Sequence, residues 1–172
     1  NILRIFLFLI ISTLSFSAVY NIYDLNINVD LQKDGSAIIS ETVTYDITEI
    51  NGVTFYIDAK DHGKIDFLEV FENERSNKND EDSYKKLDFL RYKITEDKGV
   101  YEVKVFSRNK NTTRKFRFVY ALPNAIHVYD DIAQFNRKML GKKWEQGIEH
   151  ITITVKLPVS EDYESSKFLV FG

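Results

Sequence analysis

The residue with the clearest potential for chemistry is Glu41, which lies in a stretch of alternating apolar and polar residues. The alternation places it on the same face as Ile39, Val43 and Tyr45, so the pattern predicts a buried carboxylate. A buried carboxylate with a raised pKa can serve as a general acid or base. The alternative is a structural ion pair or a carboxylate bonded to the backbone, because an unpaired buried charge is strongly destabilising. We favour the structural role, since no motif places a second acidic residue beside Glu41 to share catalytic work.

Other groups that could carry catalysis or hold a cofactor lack the spacing that such sites require. The 3 histidines show no metal-ligand spacing, and the 7 glycines are too far apart to cradle a phosphate. The absence of cysteine excludes disulfides, thiolate zinc sites and cysteine nucleophiles. Residues 77–82 are superficially similar to a calcium loop, but Asp82 stands where the turn requires glycine. We therefore predict no cofactor and no metal.

Aromatic residues allow two interpretations. The chain has 10 Tyr and 13 Phe, which could form an exposed platform for a sugar or a protein partner. Phe116, Phe118 and Tyr120 stand at alternate positions of a predicted strand, where such residues usually form the core. We favour the core for these three residues.

Length and charge limit the class of protein. The 172 residues suffice for one ordinary domain with a hydrophobic core. The formal net charge of -3 argues against a nucleic-acid partner, because phosphate binding requires a basic surface.

The elements that must position these residues are predicted to be strands. Period-two alternation covers 23–31 and 37–47, with a turn at 33–36 in which Asp34 precedes Gly35. Asn51-Gly52 indicates a hairpin, and 109–113 indicates another turn. Many short strands joined by turns predict an antiparallel β-sandwich, immunoglobulin-like in general architecture.

One segment favours a short α-helix around residues 130–140. Asp130 or Asp131 can cap its start, and Gly141 is placed to end it. The apolar residues that fall on one face at helical spacing are Ile132, Phe135, Met139 and Leu140. Trp144 would then anchor the chain as it leaves the helix.

The first residues indicate the subcellular location of the protein. Arg4 is followed by an apolar run and then by small polar residues up to Ala18, which is typical of a secretory signal peptide. An uncleaved N-terminal hydrophobic segment is the alternative, although a full span needs about 20 apolar residues. We expect residues 1–18 to be this segment and residues 19–172 to be an extracytoplasmic domain.

Several stretches together resemble the N-terminal domain of the bacterial membrane proteins grouped as DUF2207. They are residues 28–37 with Glu41 and Tyr45, residues 120–125 with Asn124, residues 129–135 with Asp130, then Gly141 and Trp144, and finally residues 148–158. The resemblance implies an exported β-rich domain followed by membrane-spanning helices beyond residue 172. That family usually carries an aromatic pair in the predicted helix, where this sequence has Asn136 and Arg137.

The function that we expect is a non-catalytic extracytoplasmic domain of a membrane protein, used for sensing or for protein interaction at the cell envelope. The alternatives are a secreted or surface glycan-binding module and an exported hydrolase that uses Glu41. The expected partners are the membrane, through the later helices, and an envelope protein. Candidate structural or interaction residues are Asp34, Gly35, Glu41, Asn124, Asp130, Gly141 and Trp144.

Overall fold

The chain folds almost entirely as β-structure. The computed structural model describes residues 19–73, 83–141, 143–144 and 146–158, so the predicted leader at 1–18 lies outside the described residues. The strands are β1 (Val19–Leu31), β2 (Ala37–Asp58), β3 (Leu68–Asn73), β4 (Tyr84–Lys86), β5 (Tyr92–Asp97), β6 (Val100–Leu122), β7 (Ile126–Val128), β8 (Ala133–Phe135) and β9 (Ile148–Lys156). The mainly β class predicted from the alternation is confirmed.

The sheet topology differs from the expected sandwich of two antiparallel sheets. Seven strands form one sheet in the order β4-β3-β6-β2-β1-β9, with β5 pairing with β6, and β7 and β8 form a separate hairpin. The pairing of β9 with β1 is parallel, so the sheet is mixed rather than antiparallel. These pairings do not confirm an immunoglobulin-like arrangement.

The hairpin predicted at Asn51-Gly52 and the turn predicted at 109–113 are both wrong. β2 continues through Gly52 and β6 continues through Asn111, and the two strands pair along almost their whole length. The pairing register shifts between Ile50 and Gly52, which is a β-bulge. Asn111, on the facing strand, has a φ of 46°. Asn109, where the second predicted turn begins, pairs with Ile50 next to this bulge. The two turn signals therefore lie near each other in the two-stranded ribbon of β2 and β6, and the bulge bends this ribbon, because bulges bend and twist paired strands.

The ribbon folds back on itself at this bend. Glu41 pairs with Phe118 across β2 and β6. A straight strand from Glu41 to Phe55 would span roughly 45 Å. However, the rings of Phe55 and Phe118 are stacked with centroids 4.0 Å apart. The two halves of the sheet therefore face each other and enclose one core between them.

The core consists of the alternating residues identified in the sequence. Phe116, Phe118 and Tyr120 are 0% exposed, so their assignment to the core is confirmed. Gly35 adopts a φ of 85° in the turn that follows β1, and Asp34 accepts hydrogen bonds from the backbone and hydroxyl of Ser36. This turn too is as predicted.

The α-helix predicted around 130–140 is absent. Residues 133–135 instead form β8, which pairs with β7, and the backbone N–H of Tyr129 donates to Ile132 across the connecting turn. Phe135, Met139 and Leu140 still pack against the core. Their contacts are made by an irregular segment, because so short a helix is marginal without tertiary support. None of the described residues forms a helix long and apolar enough to cross a bilayer.

Candidate functional site

Glu41 lies inside the fold, as its position in the alternation predicted. It is 4% exposed, and the hydroxyl of Tyr120 on β6 donates a hydrogen bond to its Oε1. Arg137 supplies the counter-charge, with Nη2 3.7 Å from the same oxygen. The side chains of Arg137 and Glu41 are only 5% and 6% exposed. The carboxylate is therefore held by one hydroxyl and one guanidinium, shielded from water.

Arg137 holds this cluster against both halves of the sheet. Its Nη2 donates to the Tyr120 hydroxyl at 2.6 Å, and its Nη1 donates to the backbone carbonyl of Asp58 at 3.0 Å. Asp58 ends β2, whereas Glu41 lies near the start of that strand. The guanidinium thus connects the two ends of one strand where the ribbon folds back.

Burial and the neighbouring positive charge shift the pKa of Glu41 in opposite directions. Burial raises the pKa of Glu41, although the Arg137 charge and the Tyr120 hydrogen bond act in the opposite direction. Burial, together with the Glu41 charge, raises the pKa of Tyr120. In the described part of the chain, no second carboxylate joins the cluster. The cluster connects the start of β2, the end of β2 and β6 in the interior of the fold.

A second polar cluster lies at the bend of the ribbon. Ser107 donates to Oε1 of Glu72 at 2.6 Å, and Nη2 of Arg114 is 2.7 Å from the same atom. Arg91 approaches Oε2 of Glu72 at 3.5 Å. Burial alone would raise the pKa of Glu72, but these hydrogen bonds and the two arginine charges hold it below its ordinary value. A largely buried ion pair between Glu72 and Arg114 thus stabilises the structure near the bend.

The turn residues Asp34, Gly35 and Asn124 meet at one end of the molecule. The carbonyl of Gly35 accepts hydrogen bonds from the backbone N–H groups of Ala125 and Ile126, at 3.0 and 2.9 Å. Asn124 is held by His62, whose Nδ1 lies 3.0 Å from its carbonyl oxygen. These contacts tie three loops together through the backbone and give them a structural role.

Gly141 and Trp144 lie apart from that end, beside a small pocket near Gly52. Trp144 packs edge-on against Phe55 with centroids 5.9 Å apart. Asp130 is exposed in the turn between β7 and β8, where it contributes to neither cluster. The described residues contain no group of three His, Cys, Asp or Glu side chains able to hold a metal ion.

The family comparison identifies the domain. The model of the DUF2207 family, described as the N-terminal domain of a predicted membrane protein, matches residues 21–171. The chain belongs to this family. No curated protein matches the chain.

Solved structures similar to this DUF2207 domain share little sequence with it. An aminopeptidase A from Legionella pneumophila has 12% identity and a TM-score of 0.46, with 68% of this chain and 13% of that protein covered. A two-domain M1 zinc metallopeptidase has 11% identity and a TM-score of 0.32, with 59% and 20% covered. The matched region spans only 13% and 20% of the lengths of these two proteins.

Arg137 is the site residue that reasoning from the sequence missed. It stands where the resemblance to DUF2207 leads one to expect an aromatic residue, and it was noted there only as a departure. Its role follows from pairing with Glu41, far away in the sequence. The predicted burial of Glu41 was the available signal, because a buried carboxylate requires a cationic or hydrogen-bonding partner.

Proposed function

We propose that this DUF2207 domain is a non-catalytic protein-interaction domain on the extracytoplasmic side of the membrane. We further propose that it binds an extended segment of an envelope protein along β9. Membership of a family of predicted membrane proteins supports the membrane association. The extracytoplasmic location rests on the leader pattern at residues 1–18. The enclosed Glu41 favours a structural use of that carboxylate over hydrolysis.

The observation that carries the proposal is the exposed apolar row on β9. Ile151, Ile153 and Val155 are 41–45% exposed, although they pair with Leu25, Ile27 and Val29 of β1, which are 0–2% exposed. Side chains of paired residues point to the same face of a sheet. The apolar face of β1 therefore continues onto β9, where the described residues leave it partly uncovered.

The backbone of β9 is also open to a further strand. β9 is the last strand of the sheet and, among the described strands, pairs with β1 alone. Its nine residues contain no proline, and its register with β1 has no shift. Its exposed row is uncharged from Ile151 to Val155, and the one charged residue of that row, Glu149, lies at its start. Proline, β-bulges and charged side chains normally protect an edge strand from pairing with another chain, and β9 lacks all three between Ile151 and Val155. A strand that adds to this edge would gain backbone hydrogen bonds as well as an apolar contact.

The occupant that fits is an extended segment with apolar residues at alternate positions. One row of its side chains would cover Ile151, Ile153 and Val155. The opposite row would lie beside Thr152 and Thr154, which suits polar side chains. This alternation is the pattern by which strand-adding partners are selected.

Site-specific photo-cross-linking in living cells tests the interaction. A photoreactive residue at position 153 of the full-length protein should give one adduct of defined mass, whereas the same residue at position 33 should not. Ile151→Lys should abolish the adduct, because it places a charge in the apolar row. Thr152→Lys, the matched control on the opposite face, should retain it.

Three results would overturn the interaction along β9. They are the absence of an adduct at position 153, an equal loss in both lysine variants, and an adduct with the mass of two copies of the full-length protein. The last would show self-association instead of a heterologous partner.

The location is tested separately by cysteine labelling. The sequence contains no cysteine, so Lys33→Cys introduces a single exposed thiol into this domain. Any cysteine elsewhere in the full-length protein is replaced, so that only this thiol can be labelled. A maleimide that cannot cross the cytoplasmic membrane should label this thiol in intact cells. Labelling only after permeabilisation would refute the extracytoplasmic location.

A further inference from the structure

A small pocket lies where the bend of the ribbon meets the segment around Trp144. Its volume is about 130 Å³, and its apolar floor includes Ile22, Val53 and Phe55. Gly52 lies in its wall at the bulge, and Gly141 and Lys143 lie at its rim on the facing segment. β9 contributes no lining residue, so the pocket is distinct from the surface proposed to bind a partner.

We propose that this pocket binds a carboxylate attached to a single ring or short aliphatic chain, with the apolar group inside and the carboxylate on Lys143. The volume is close to that of a cavity that accepts one benzene-sized molecule. A ligand with more than one ring would not fit.

The charge of the residues that line the pocket indicates that the polar end of the ligand is an anion. Among the residues that the structure describes, Lys143 is the only lining residue with a formal charge. Burial raises the pKa of Tyr45, so that hydroxyl stays neutral. The Lys143 ammonium lies 4.5 Å from the centre of the Tyr56 ring. Within the described ranges it forms no ion pair with a carboxylate. A cation at the mouth of an apolar pocket is complementary to an apolar anion.

Two sources share this chemistry: a free small carboxylic acid and the C-terminal residue of a peptide. Both present one apolar group next to a carboxylate. The probes 3-phenylpropionate and a tetrapeptide that ends in phenylalanine with a free carboxyl group distinguish the two sources. Binding of either supports the proposal, and their relative affinities identify the source.

Fluorescence of Trp144 provides a direct measurement. It is the only tryptophan in the sequence and lines the pocket, so occupancy should change its emission. Calorimetry on the same samples serves as an independent readout. Saturable binding of at least one probe is expected below about 10 mM, and 3-phenylpropionamide, which lacks the charge, should bind roughly tenfold more weakly.

Three variants separate charge, shape and general effects. Lys143→Met should weaken carboxylate binding roughly tenfold and leave the amide unaffected. Lys33→Met is the control, since Lys33 is an exposed lysine in the distant turn after β1. Gly141→Phe should block the pocket without unfolding the domain, because a Cβ at Gly141 meets nothing within 4 Å.

The proposal would be overturned by equal binding of acid and amide, by equal effects of the two lysine variants, or by no saturable binding in either readout. None of these results bears on cross-linking at β9. The ligand site and the proposed interaction can therefore fail independently.

Discussion

At the scale of single residues, the cluster of Glu41, Tyr120 and Arg137 shows how this core accommodates charge. Removing two charges from water is unfavourable, and their mutual attraction offsets this only when further hydrogen bonds complete the pair. Tyr120 and the carbonyl of Asp58 provide those bonds. The intact ion pair is therefore more important for the arrangement of the chain than for its net stability. Removing only one of the two charged side chains should nevertheless be strongly destabilising, because the other charge stays buried without a partner.

Arg137→Met should lower the free energy of unfolding by about 3–5 kcal/mol, because it leaves Glu41 buried without a counter-charge. The double variant Glu41→Gln with Arg137→Met should be less destabilised than the sum of the single variants, since no isolated charge remains. Urea unfolding of the four proteins measures this coupling. Simple additivity would contradict the ion pair.

The raised pKa of Glu41 predicts a specific pH dependence. A carboxyl whose pKa is higher in the folded state binds its proton more tightly there, so its stabilising contribution is complete at low pH. This contribution is lost as pH rises through the folded-state pKa. The stability of the wild type relative to Glu41→Gln should therefore decline from about pH 4 upward. Thermal unfolding across this range tests the sign, and a relative stability that increases with pH would refute it.

Gly52 is required by a close backbone approach. A Cβ built there would lie 2.1 Å from the carbonyl oxygen of Val105 on the paired strand. Gly52→Ala should therefore destabilise the domain by roughly 2 kcal/mol or more. Gly147→Ala is the matched control, because a Cβ at Gly147 meets nothing within 4 Å. Equal unfolding midpoints for the two variants would contradict this role.

Residues also show what the sequence could predict of the candidate site. The burial of Glu41 follows from local alternation, which requires only its neighbours on the strand. Its partnership with Arg137 depends on where the chain passes after β8, and no local pattern encodes that path. Trp144 was expected to anchor the chain at the end of a helix, but no helix precedes it in the described residues, and its ring packs edge-on against Phe55.

At the scale of elements, local sequence signals predicted turns where the structure has a bend in the β2–β6 ribbon. Asn51-Gly52 and Asn111 have the residue types of hairpin turns, but bulges use the same types. What distinguishes them here is that β2 and β6 stay paired on both sides of these residues, which is a property of the sheet. The strand class could thus be predicted while the strand lengths and the topology could not.

Glu72 should stabilise this bend by pairing with the buried Arg114, whose side chain is 6% exposed. Glu72→Gln should lower the free energy of unfolding by roughly 2 kcal/mol at neutral pH, because hydrogen bonds to charged groups contribute in this range. Glu49→Gln removes an exposed ion pair with Lys110 and should change stability by less than about 1 kcal/mol. Chemical denaturation measures both variants, and a Glu72→Gln effect as small as that of the control would refute the role.

The missing helix illustrates a second limit of local patterns. Helical spacing of Phe135, Met139 and Leu140 identified residues that do pack against the core. However, β7 offers backbone partners to residues 133–135, and Arg137 is drawn toward Glu41. These contacts outweigh the weak intrinsic preference of so short a segment for a helix.

At the scale of the whole molecule, the folded-back ribbon of β2 and β6 brings two halves of one sheet together around a single hydrophobic core. Phe55 connects them, since its ring stacks on Phe118 and also contacts Trp144. Neither half can bury its own apolar face without the other. The domain should therefore unfold as one cooperative unit, with Trp144 fluorescence and far-ultraviolet circular dichroism giving coincident transitions.

Phe55→Ala tests whether this contact holds the halves together. Removing a buried phenylalanine typically lowers the free energy of unfolding by about 3–5 kcal/mol through lost contacts and the resulting cavity. Here it should also separate the two transitions, because Trp144 would report separation of the two halves of the sheet before the pairing among β1, β2 and β6 is lost. Phe106→Ala is the control, since Phe106 lies in the same ribbon with 50% of its surface exposed. If Phe55→Ala lowers stability but the transitions stay coincident, the cooperative unit depends on the continuous backbone pairing of β2 with β6 more than on the stacked rings.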